Sequence, residues 1–340
     1  MDTDGVPLLE REAQLASLRQ YAREARDGDG RMVLVAGEAG VGKSALIEQV
    51  QADLPDASWY WGACDGLFTP RPLGPLFDIA AKLGGELLEL CRADAPREEL
   101  FGALLAQVSA PDARHVVVVE DIHWADEATI DLLRFLGRRI RDAAVLLIVT
   151  YRDDGLAADD PLQLALGDLA SQRSVRRVTL APLSTGAIQA MAGGSVTEAA
   201  ALHELTGGNP FYLTQVIAAG TDQVPASARD AVLARAARLS PAARTVLEAA
   251  ALIGTRVEFP LLASVTDGPA AAVDELIAAG LLTGDGVNLR FRHEIARLAI
   301  QDAVPGHRRG LTHTAILASL GRAGGGDDAR MAFHAEGAGD

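Results

Sequence analysis

The sequence predicts an α/β protein with a parallel β-sheet covered by helices on both faces, followed by a largely helical second half. Three apolar runs, rich in β-branched residues, are typical of buried parallel strands; they lie at 32–35, 116–119 and 144–150. Helical patterns separate these runs, and strands that alternate with helices indicate a parallel sheet. Beyond about residue 181 the apolar spacing becomes helical.

The predicted elements of the first half follow from this spacing. A first helix over 9–26 carries apolar residues at 15, 18 and 22 and ends at the DGDG stretch of 27–30. The remaining elements, in order, are the strand at 32–35, a helix over 43–53, a strand at 58–62, helices over 76–90 and 97–109, and the strands at 116–119 and 144–150.

The sequence of the second half predicts helices and one hairpin. Helices are expected within 181–220 and over 227–239, 240–253, 261–265, 269–279, 294–303 and 311–320. Leu281–Thr283 and Val287–Arg292 flank a Gly-Asp-Gly turn, which favours a hairpin. Helices followed by such a hairpin suggest a winged-helix domain. This one lacks a recognition helix rich in lysine and arginine.

The composition excludes several classes of protein. At 340 residues with 49% apolar content, the chain is expected to form two or three domains. Two cysteines are too few for a disulfide framework, and the acidic N-terminus does not resemble a signal peptide, so a cytoplasmic location is expected. A net charge of −15 repels nucleic-acid backbones, so we expect no direct DNA binding by these residues. No apolar run is long enough for a membrane span.

Residues 37–44, GEAGVGKS, match the phosphate-binding pattern G-x-x-x-x-G-K-[ST] and follow the apolar run at 32–35. The glycines allow successive backbone N–H groups to point at phosphate oxygens, while Lys43 reaches the β- and γ-phosphates and Ser44 ligates Mg²⁺. The simpler alternative is a glycine-rich loop that only joins a strand to a helix. The loop residues predicted to bind nucleotide are Gly37, Glu38, Ala39, Gly40, Val41, Gly42, Lys43, Ser44 and Ala45.

A second motif, VVVVEDIHWADEAT at 116–129, places two carboxylates where a buried strand ends. Ligands of open α/β sheets bind at this edge, and Mg²⁺ prefers carboxylate oxygens beside phosphates and water. We therefore expect Glu120 and Asp121 to hold the metal and to orient or deprotonate water, although acidic residues after a strand are also common helix caps. Asp126 is better explained as the N-cap of the next helix.

Together with the strand-end TYR at 150–152 and TGGNPFYL at 206–213, these motifs resemble the STAND class of P-loop ATPases. The closest likeness is to the nucleotide-binding part of large ATP-binding regulators of the LuxR type. The resemblance extends from LLEREAQL at 8–15, whose Arg11 we add to the nucleotide-binding set, to RFRHEIARLAI at 290–300. One departure is Glu120, where the family more often has aspartate, so the division of metal and water roles between Glu120 and Asp121 stays open.

The resemblance also implies roles for other residues. Arg152 corresponds to a sensor of the γ-phosphate, and Asn209-Pro210 to the start of a lid helix over the nucleotide. His293 corresponds to a winged-helix histidine that binds the β-phosphate of ADP. Each has a simpler alternative: Arg152 pairing with Asp153 or Asp154, an ordinary helix start at Asn209-Pro210, and a junction histidine that faces solvent or a carboxylate.

The domains implied are a P-loop nucleotide-binding domain over 1–180, a helical lid over 181–224, a winged-helix domain over 225–310 and the truncated start of a helical-repeat region over 311–340. The expected function is an ATP/ADP switch with slow hydrolysis in the N-terminal part of a transcription regulator. Expected partners are nucleotide with Mg²⁺, other copies of the chain in the ATP state, and an effector bound through repeats that would follow residue 340. The alternative is an AAA+ ATPase that turns over steadily, such as a remodeller or a relative of replication initiators. His123 and Trp124 are expected only to pack beneath the site.

Overall fold

The computed structural model describes residues 8–66, 71–109, 114–154, 160–220, 224–267, 269–284, 286, 288–322 and 328–339. The chain divides into two compact units, Met1–Ala181 and Pro182–Asp340. Within the described residues, none of the helices combines the length and apolar character needed to cross a membrane. Residue 285 of the predicted Gly-Asp-Gly turn and residue 287, the first of the predicted strand Val287–Arg292, lie outside the described residues.

The first unit alternates strands and helices. Its strands are β1 (Arg31–Ala36), β2 (Ser58–Ala63), β3 (His115–Glu120), β4 (Val145–Tyr151) and β5 (Val175–Thr179). Its helices are α1 (Glu12–Arg26), α2 (Lys43–Asp53), α3 (Gly74–Leu83), α4 (Gly85–Arg92), α5 (Arg97–Val108), α6 (Glu127–Arg139) and α7 (Pro161–Ala170), with short 3₁₀ turns at Ile122–Trp124 and Ile140–Asp142.

The described strands of this unit form a five-stranded parallel sheet in the order β2-β3-β4-β1-β5. Consecutive valines of β3 point to opposite sides, so Val117 and Val119 join one apolar core while Val116 and Val118 join another. Both faces are therefore covered, which confirms the predicted parallel α/β core. The order places β1 between β4 and β5 and β3 beside β4, so the carboxyl ends of β1, β3 and β4 lie along one edge.

Three features of this unit differ from the prediction, and one of them is helix α7, which was not predicted. The helix predicted over 76–90 is broken into α3 and α4, because Gly84 and Gly85 both adopt positive φ angles, +69° and +63°, that a continuous helix excludes. Strand β5 was not predicted. Within the described residues it lies at the sheet edge and pairs with β1, and arginines at 176 and 177 separate its two buried valines, so the strand shows no continuous apolar run.

The second unit is mainly helical. Its helices are α8 (Thr185–Ala192), α9 (Val196–Thr206), α10 (Pro210–Ala219), α11 (Ala226–Ala237), α12 (Pro241–Ile253), α13 (Phe259–Val265), α14 (Pro269–Ala278), α15 (Glu294–Ala303), α16 (Gly306–Arg322) and α17 (Asp328–Ala338). Three short strands, β6 (Arg256–Glu258), β7 (Leu282–Gly284) and β8 (Asn288–Phe291), form an antiparallel sheet in the order β6-β8-β7 within the described residues.

Several local predictions for this unit hold. The two strands of the predicted hairpin pair antiparallel, as Leu282 lies opposite Phe291. Ser240 caps α12 through a hydrogen bond from Ala243 N–H, and Pro241 occupies the first turn. Strand β6 was not predicted, since three residues are too few to show a period. Its Val257 is fully buried in the core of this unit.

Candidate nucleotide-binding site

The loop at 37–42 joins the carboxyl end of β1 to the first turn of α2. Gly37 and Gly42 have φ angles of +153° and +98°, which L side chains rarely adopt. A Cβ at Gly37 would also lie 2.8 Å from Val41 Cγ1 and 3.0 Å from the Leu180 carbonyl oxygen. Glycine is therefore needed at this end of the loop for space as well as for conformation.

Lys43 lies at the N-terminus of α2, with a buried side chain. Its Nζ donates hydrogen bonds to the carbonyl oxygens of Gly37 (2.7 Å) and Glu38 (2.9 Å). An ammonium has three N–H donors, so these bonds hold the lysine within the loop and leave one donor for a phosphate oxygen. Burial lowers the pKa of Lys43, an effect opposed by the negative charge of Asp121.

The side chain of Arg11 forms a hydrogen bond to the backbone of the phosphate-binding loop. The residue is 3% exposed, and its guanidinium donates to the carbonyl oxygens of Val41 (3.3 Å) and Ala181 (2.7 Å). Burial lowers the pKa of Arg11. These contacts tie the loop to the segment after β5, so Arg11 acts on the loop backbone in this structure. Of the remaining loop residues, Val41 N–H donates to the Glu38 carbonyl oxygen at 3.3 Å.

Ser44 and Glu120 meet beside this loop. The Ser44 hydroxyl donates to Glu120 Oε1 at 2.6 Å, which joins the first turn of α2 to the carboxyl end of β3. Burial raises the pKa of Glu120, and the hydrogen bond from Ser44 opposes that rise. A hydroxyl and a carboxylate in contact supply the hard oxygen ligands that Mg²⁺ takes beside phosphates and water. No cluster of three or more His, Cys, Asp or Glu suited to a metal occurs among the described residues. The site therefore fits an ion that gains its other ligands from nucleotide and water.

Asp121 is positioned differently from its neighbour. Its φ angle is +57°, a left-handed conformation uncommon for aspartate, and its backbone N–H donates to Thr150 Oγ1 at 2.9 Å. The Asp121 carboxylate lies 3.7 Å from His123 Nδ1. Such backbone conformations occur where the surrounding structure enforces them, often at functional sites. Asp121 thus contacts Thr150 and His123, while Glu120 contacts Ser44.

Arg152 follows β4, at the same sheet edge. Its guanidinium carbon lies 5.8 Å from the centre of the Trp124 ring. Burial is the largest cause of the lowered pKa of Lys43, and the positive charge of Arg152 lowers this pKa further. The two cations therefore lie near each other. The structure therefore brings Arg152 together with Lys43, Ser44, Glu120 and Asp121 within the first unit.

In the second unit, Asn209 is fully buried and caps α10. Its side chain accepts a hydrogen bond from Phe211 N–H at 3.0 Å, and Pro210 occupies the first turn. The ordinary helix start weighed as an alternative is thus present.

His293 precedes α15 and is 4% exposed, so it is buried and does not face solvent, which was one of the two simpler alternatives. Its ring packs against Tyr212, with centroids 5.1 Å apart. A Cβ at Gly207 would lie 2.5 Å from His293 Nδ1, so the ring lies directly on the backbone of the Gly207-Gly208 turn. Both glycines have positive φ angles, +62° and +75°. The predicted residues Asn209 and His293, distant in sequence, therefore share one neighbourhood.

Sequence reasoning missed three residues of the first site. Thr150 holds the backbone of Asp121, while the rings of His123 and Trp124 contact each other at an inclined angle, with centroids 4.9 Å apart, beside Asp121 and Arg152. The sequence signal was present in the EDIHW string and in TYR at 150–152, but threonine within an apolar strand and aromatic residues after it are usually packing residues.

Asp126 caps α6 as predicted. Its carboxylate accepts hydrogen bonds from Ala128 N–H (2.9 Å) and Thr129 N–H (3.3 Å). The same carboxylate accepts one from Leu73 N–H at 3.2 Å, which ties the segment before α3 to the segment after β3.

Comparison with known proteins agrees with the fold and the loop. Residues 7–149 match the family described as AAA ATPase domain. The fold and the loop are those of a P-loop nucleotide-binding protein, and residues 7–149 of the first unit are similar to an AAA ATPase domain. Proteins of this family bind nucleotide, typically with Mg²⁺.

Individual relatives are more distant. The chain is 27% identical over 405 aligned residues to an uncharacterized protein of Rhizobium meliloti, an alignment that covers 98% of this chain and 39% of the relative. This chain therefore spans well under half of that protein's length. A Walker-type ATPase of Pyrococcus abyssi shares the fold, with 14% identity, a TM-score of 0.60 and coverage of 86% and 95% of the two chains. A STAND protein with a tetratricopeptide repeat sensor from Pyrococcus horikoshii is 19% identical, with a TM-score of 0.42. That match covers 95% of this chain and 48% of the Pyrococcus horikoshii chain.

Proposed function

We propose that this chain is a nucleotide-operated switch that binds ATP and ADP with Mg²⁺ and hydrolyses ATP slowly. The observation that carries the proposal is the Ser44–Glu120 hydrogen bond of 2.6 Å beside the buried Lys43. This contact brings together the hydroxyl of the phosphate-binding loop and the carboxylate at the end of β3, the two groups that would hold Mg²⁺ beside a nucleotide. The glycine conformations of the loop and the match to the AAA ATPase domain support the same conclusion.

The contacts favour a division of roles between the two carboxylates. Glu120 touches the hydroxyl that the loop motif assigns to Mg²⁺, so Ser44 and Glu120 would hold the metal. Asp121, held by Thr150 in a constrained backbone conformation, would orient or deprotonate the attacking water. Bound Mg²⁺ supplies charge neutralisation of the phosphates. Lys43 would contribute a positive charge to the β- and γ-phosphates, and Arg152 one to the γ-phosphate.

The switch function is supported by the second unit. His293 packs on the Gly207-Gly208 turn immediately before Asn209, so the motifs that the STAND resemblance assigns to the lid and to the ADP sensor form one cluster. We propose a helical lid over 181–224, a winged-helix domain over 225–310 and the start of a helical-repeat region over 311–340. We further propose that the chain is the N-terminal regulatory part of a LuxR-type transcription regulator, with self-association in the ATP state and an effector bound elsewhere in a longer protein.

The rate of ATP turnover and the hydrodynamic size of the protein distinguish a switch from a continuously working ATPase. A switch should hydrolyse less than about one ATP per minute and change hydrodynamic size between ADP and ATP. His293→Ala should weaken ADP more than ATP, by at most about 3 kcal/mol, the upper range for a charge-assisted hydrogen bond. Steady turnover near 10 s⁻¹, a typical enzyme rate, with equal loss of both nucleotides in the variant would instead indicate a continuously working ATPase.

A further inference from the structure

A cavity of about 70 Å³ lies at the amino ends of β3 and β4, beside the last turn of α1. The phosphate-binding loop and Glu120 lie at the carboxyl ends of β1 and β3, so the cavity is at the opposite edge of the same parallel sheet. Its apolar lining includes Ala22, Ala25, Leu54, Ala57, Val116 and Leu146. The cavity is therefore separate from the proposed nucleotide site.

Three arginines also line this cavity. Arg26 Nε lies 3.3 Å from Asp27 Oδ1, and Arg114 Nη1 lies 3.5 Å from Asp56 Oδ2. The side chains of both ion pairs are about half exposed or more, and such pairs are weak. Arg23 forms no ion pair with any described residue. Within the described part of the chain, three guanidinium groups and no carboxylate line the cavity, in a protein whose net charge is −15.

His115 adds a neutral polar group to the lining. The residue is 9% exposed, and its ring packs on Tyr60 with centroids 5.4 Å apart. Burial lowers the pKa of His115, so its ring is uncharged near neutral pH. Its Nδ1 is buried and forms no hydrogen bond, which is uncommon for a buried polar atom. The lining thus combines an apolar surface with a polar ring whose hydrogen bonding is incomplete.

The size and charge of the cavity define a class of ligand. A water molecule needs at least about 10–15 Å³ of such space, so the cavity holds about five non-hydrogen atoms. Guanidinium groups at its margin favour a carboxylate, which accepts charge-assisted hydrogen bonds from them, and the apolar lining favours a hydrocarbon chain. We propose that the cavity binds a short-chain aliphatic carboxylate, with the hydrocarbon inside and the carboxylate beside Arg23. This binding is independent of the nucleotide site.

Sodium pentanoate is a suitable probe, because its hydrocarbon chain and carboxylate match the apolar lining and the arginines. Histidine labelled with ¹³C reports on His115, whose ring signal is assigned by its loss in His115→Gln. Ionic strength is kept constant, since salt screens exposed charges. We expect a saturable shift of the His115 signal with a Kd of about 1 mM. Acetate, which lacks three CH₂ groups, should bind at least about tenfold more weakly, and pentan-1-ol, which lacks the charge, at least about fivefold more weakly.

Two variants separate the charge from the apolar space. Arg23→Gln should weaken pentanoate about fivefold and leave the affinity for pentan-1-ol within about twofold of wild type, because it removes only the charge. Ala22→Leu should abolish saturable binding of both ligands, because the larger side chain fills the cavity. Arg92→Gln is the matched control, since Arg92 is an exposed arginine in the last turn of α4 that does not line the cavity. It should alter neither affinity.

Several results would overturn the proposal. One is a wild-type His115 signal that does not shift, or shifts without saturation, as pentanoate is added. Another is equal affinity for pentanoate, acetate and pentan-1-ol. Unchanged pentanoate affinity in Arg23→Gln, with a lower melting temperature, would show that this arginine only stabilises the carboxyl terminus of α1, where positive charge is favourable. If Ala22→Leu does not fold, the comparison of the three ligands and of Arg23→Gln with Arg92→Gln still decides.

Discussion

The Ser44 hydroxyl donates a hydrogen bond to Glu120 Oε1 at 2.6 Å, although the two residues are 76 positions apart in the chain. Asp121, adjacent to Glu120, is instead held by Thr150 and faces His123. The two neighbouring carboxylates therefore occupy different environments, and each can be assigned its own role. That difference leads to the first prediction.

Glu120→Gln should reduce the dependence of ATP affinity on Mg²⁺, because the amide keeps an acceptor for Ser44 but loses the charge that holds the metal. We expect the Mg²⁺-induced gain in affinity to fall at least tenfold, about 1.4 kcal/mol. Asp121→Asn should leave that gain within about twofold and slow hydrolysis at least about 100-fold, the contribution of a general base. Calorimetry with and without Mg²⁺ and single-turnover hydrolysis provide the measurements. If instead Asp121→Asn lost the Mg²⁺-induced gain and Glu120→Gln slowed hydrolysis, with both variants melting like wild type, the metal and water roles would have to be exchanged between the two carboxylates.

Lys43→Ala should lower ATP affinity at least tenfold, or about 1.4 kcal/mol, since it removes the charge that meets the β- and γ-phosphates. The loop backbone should persist, because Gly37 and Gly42 set its conformation. Lys82 is the other lysine of the chain and is exposed on α3, so Lys82→Ala is a matched control expected to leave affinity unchanged. Equal affinities of wild type and Lys43→Ala by calorimetry would contradict the loop assignment.

Gly207→Ala should destabilise the second unit for two separable reasons. The φ angle of +62° costs an L residue about 1 kcal/mol, and the added methyl group would lie 2.5 Å from His293 Nδ1. His293→Ala removes the second cost only. In a double-mutant cycle on the full chain, the destabilisation caused by Gly207→Ala should therefore be smaller in the His293→Ala background, with a coupling of about 1 kcal/mol or more. Strict additivity in chemical denaturation would show that the ring does not pack on this turn.

The last prediction concerns a pair of buried histidines, one on α16 and one on α17. His313 Nδ1 and His334 Nδ1 lie 2.8 Å apart, and burial lowers the pKa of His334 to about 4, aided by the charges of His313 and Arg330. Below the ordinary histidine pKa of about 6.5 the unfolded chain binds a proton that folded His334 does not, so stability should fall as the pH drops from about 6.5 to 4.

Melting temperatures measured across that range should decline more steeply in wild type than in His334→Leu. His307, which is exposed at the start of α16, provides the control: His307→Leu should retain the wild-type slope. Parallel curves for wild type and His334→Leu would show that the pair does not titrate in this way.

Much of the first unit is predictable because its chemistry imposes local patterns. The phosphate-binding loop requires glycines and a lysine at fixed spacing, and strands buried on both faces, such as β3, require continuous apolar runs. Strand β5 was not predicted because it is an edge strand that pairs on one side, and Arg176 and Arg177 between its two buried valines interrupt the apolar pattern. The break between α3 and α4 depends on two consecutive glycines whose conformations the sequence leaves open.

The site itself shows the same limit. Glu120 and Asp121 are recognisable from their place after four valines, but their division of roles depends on which one Ser44 and Thr150 contact across the sheet. His123 and Trp124 look like packing residues in the sequence, because a distance to Arg152 on another strand cannot be read from local spacing. The environments of these residues depend on tertiary contacts, which local propensity and periodicity do not encode.

The identity of the nucleotide carried by freshly purified protein tests the switch most directly. The protein would be denatured without added nucleotide, and the released ligand identified and counted by mass spectrometry against the protein concentration. A slowly hydrolysing switch should release close to one ADP per chain, and Lys43→Ala should release far less. Nucleotide-free wild-type protein that nevertheless hydrolyses added ATP steadily would contradict the account.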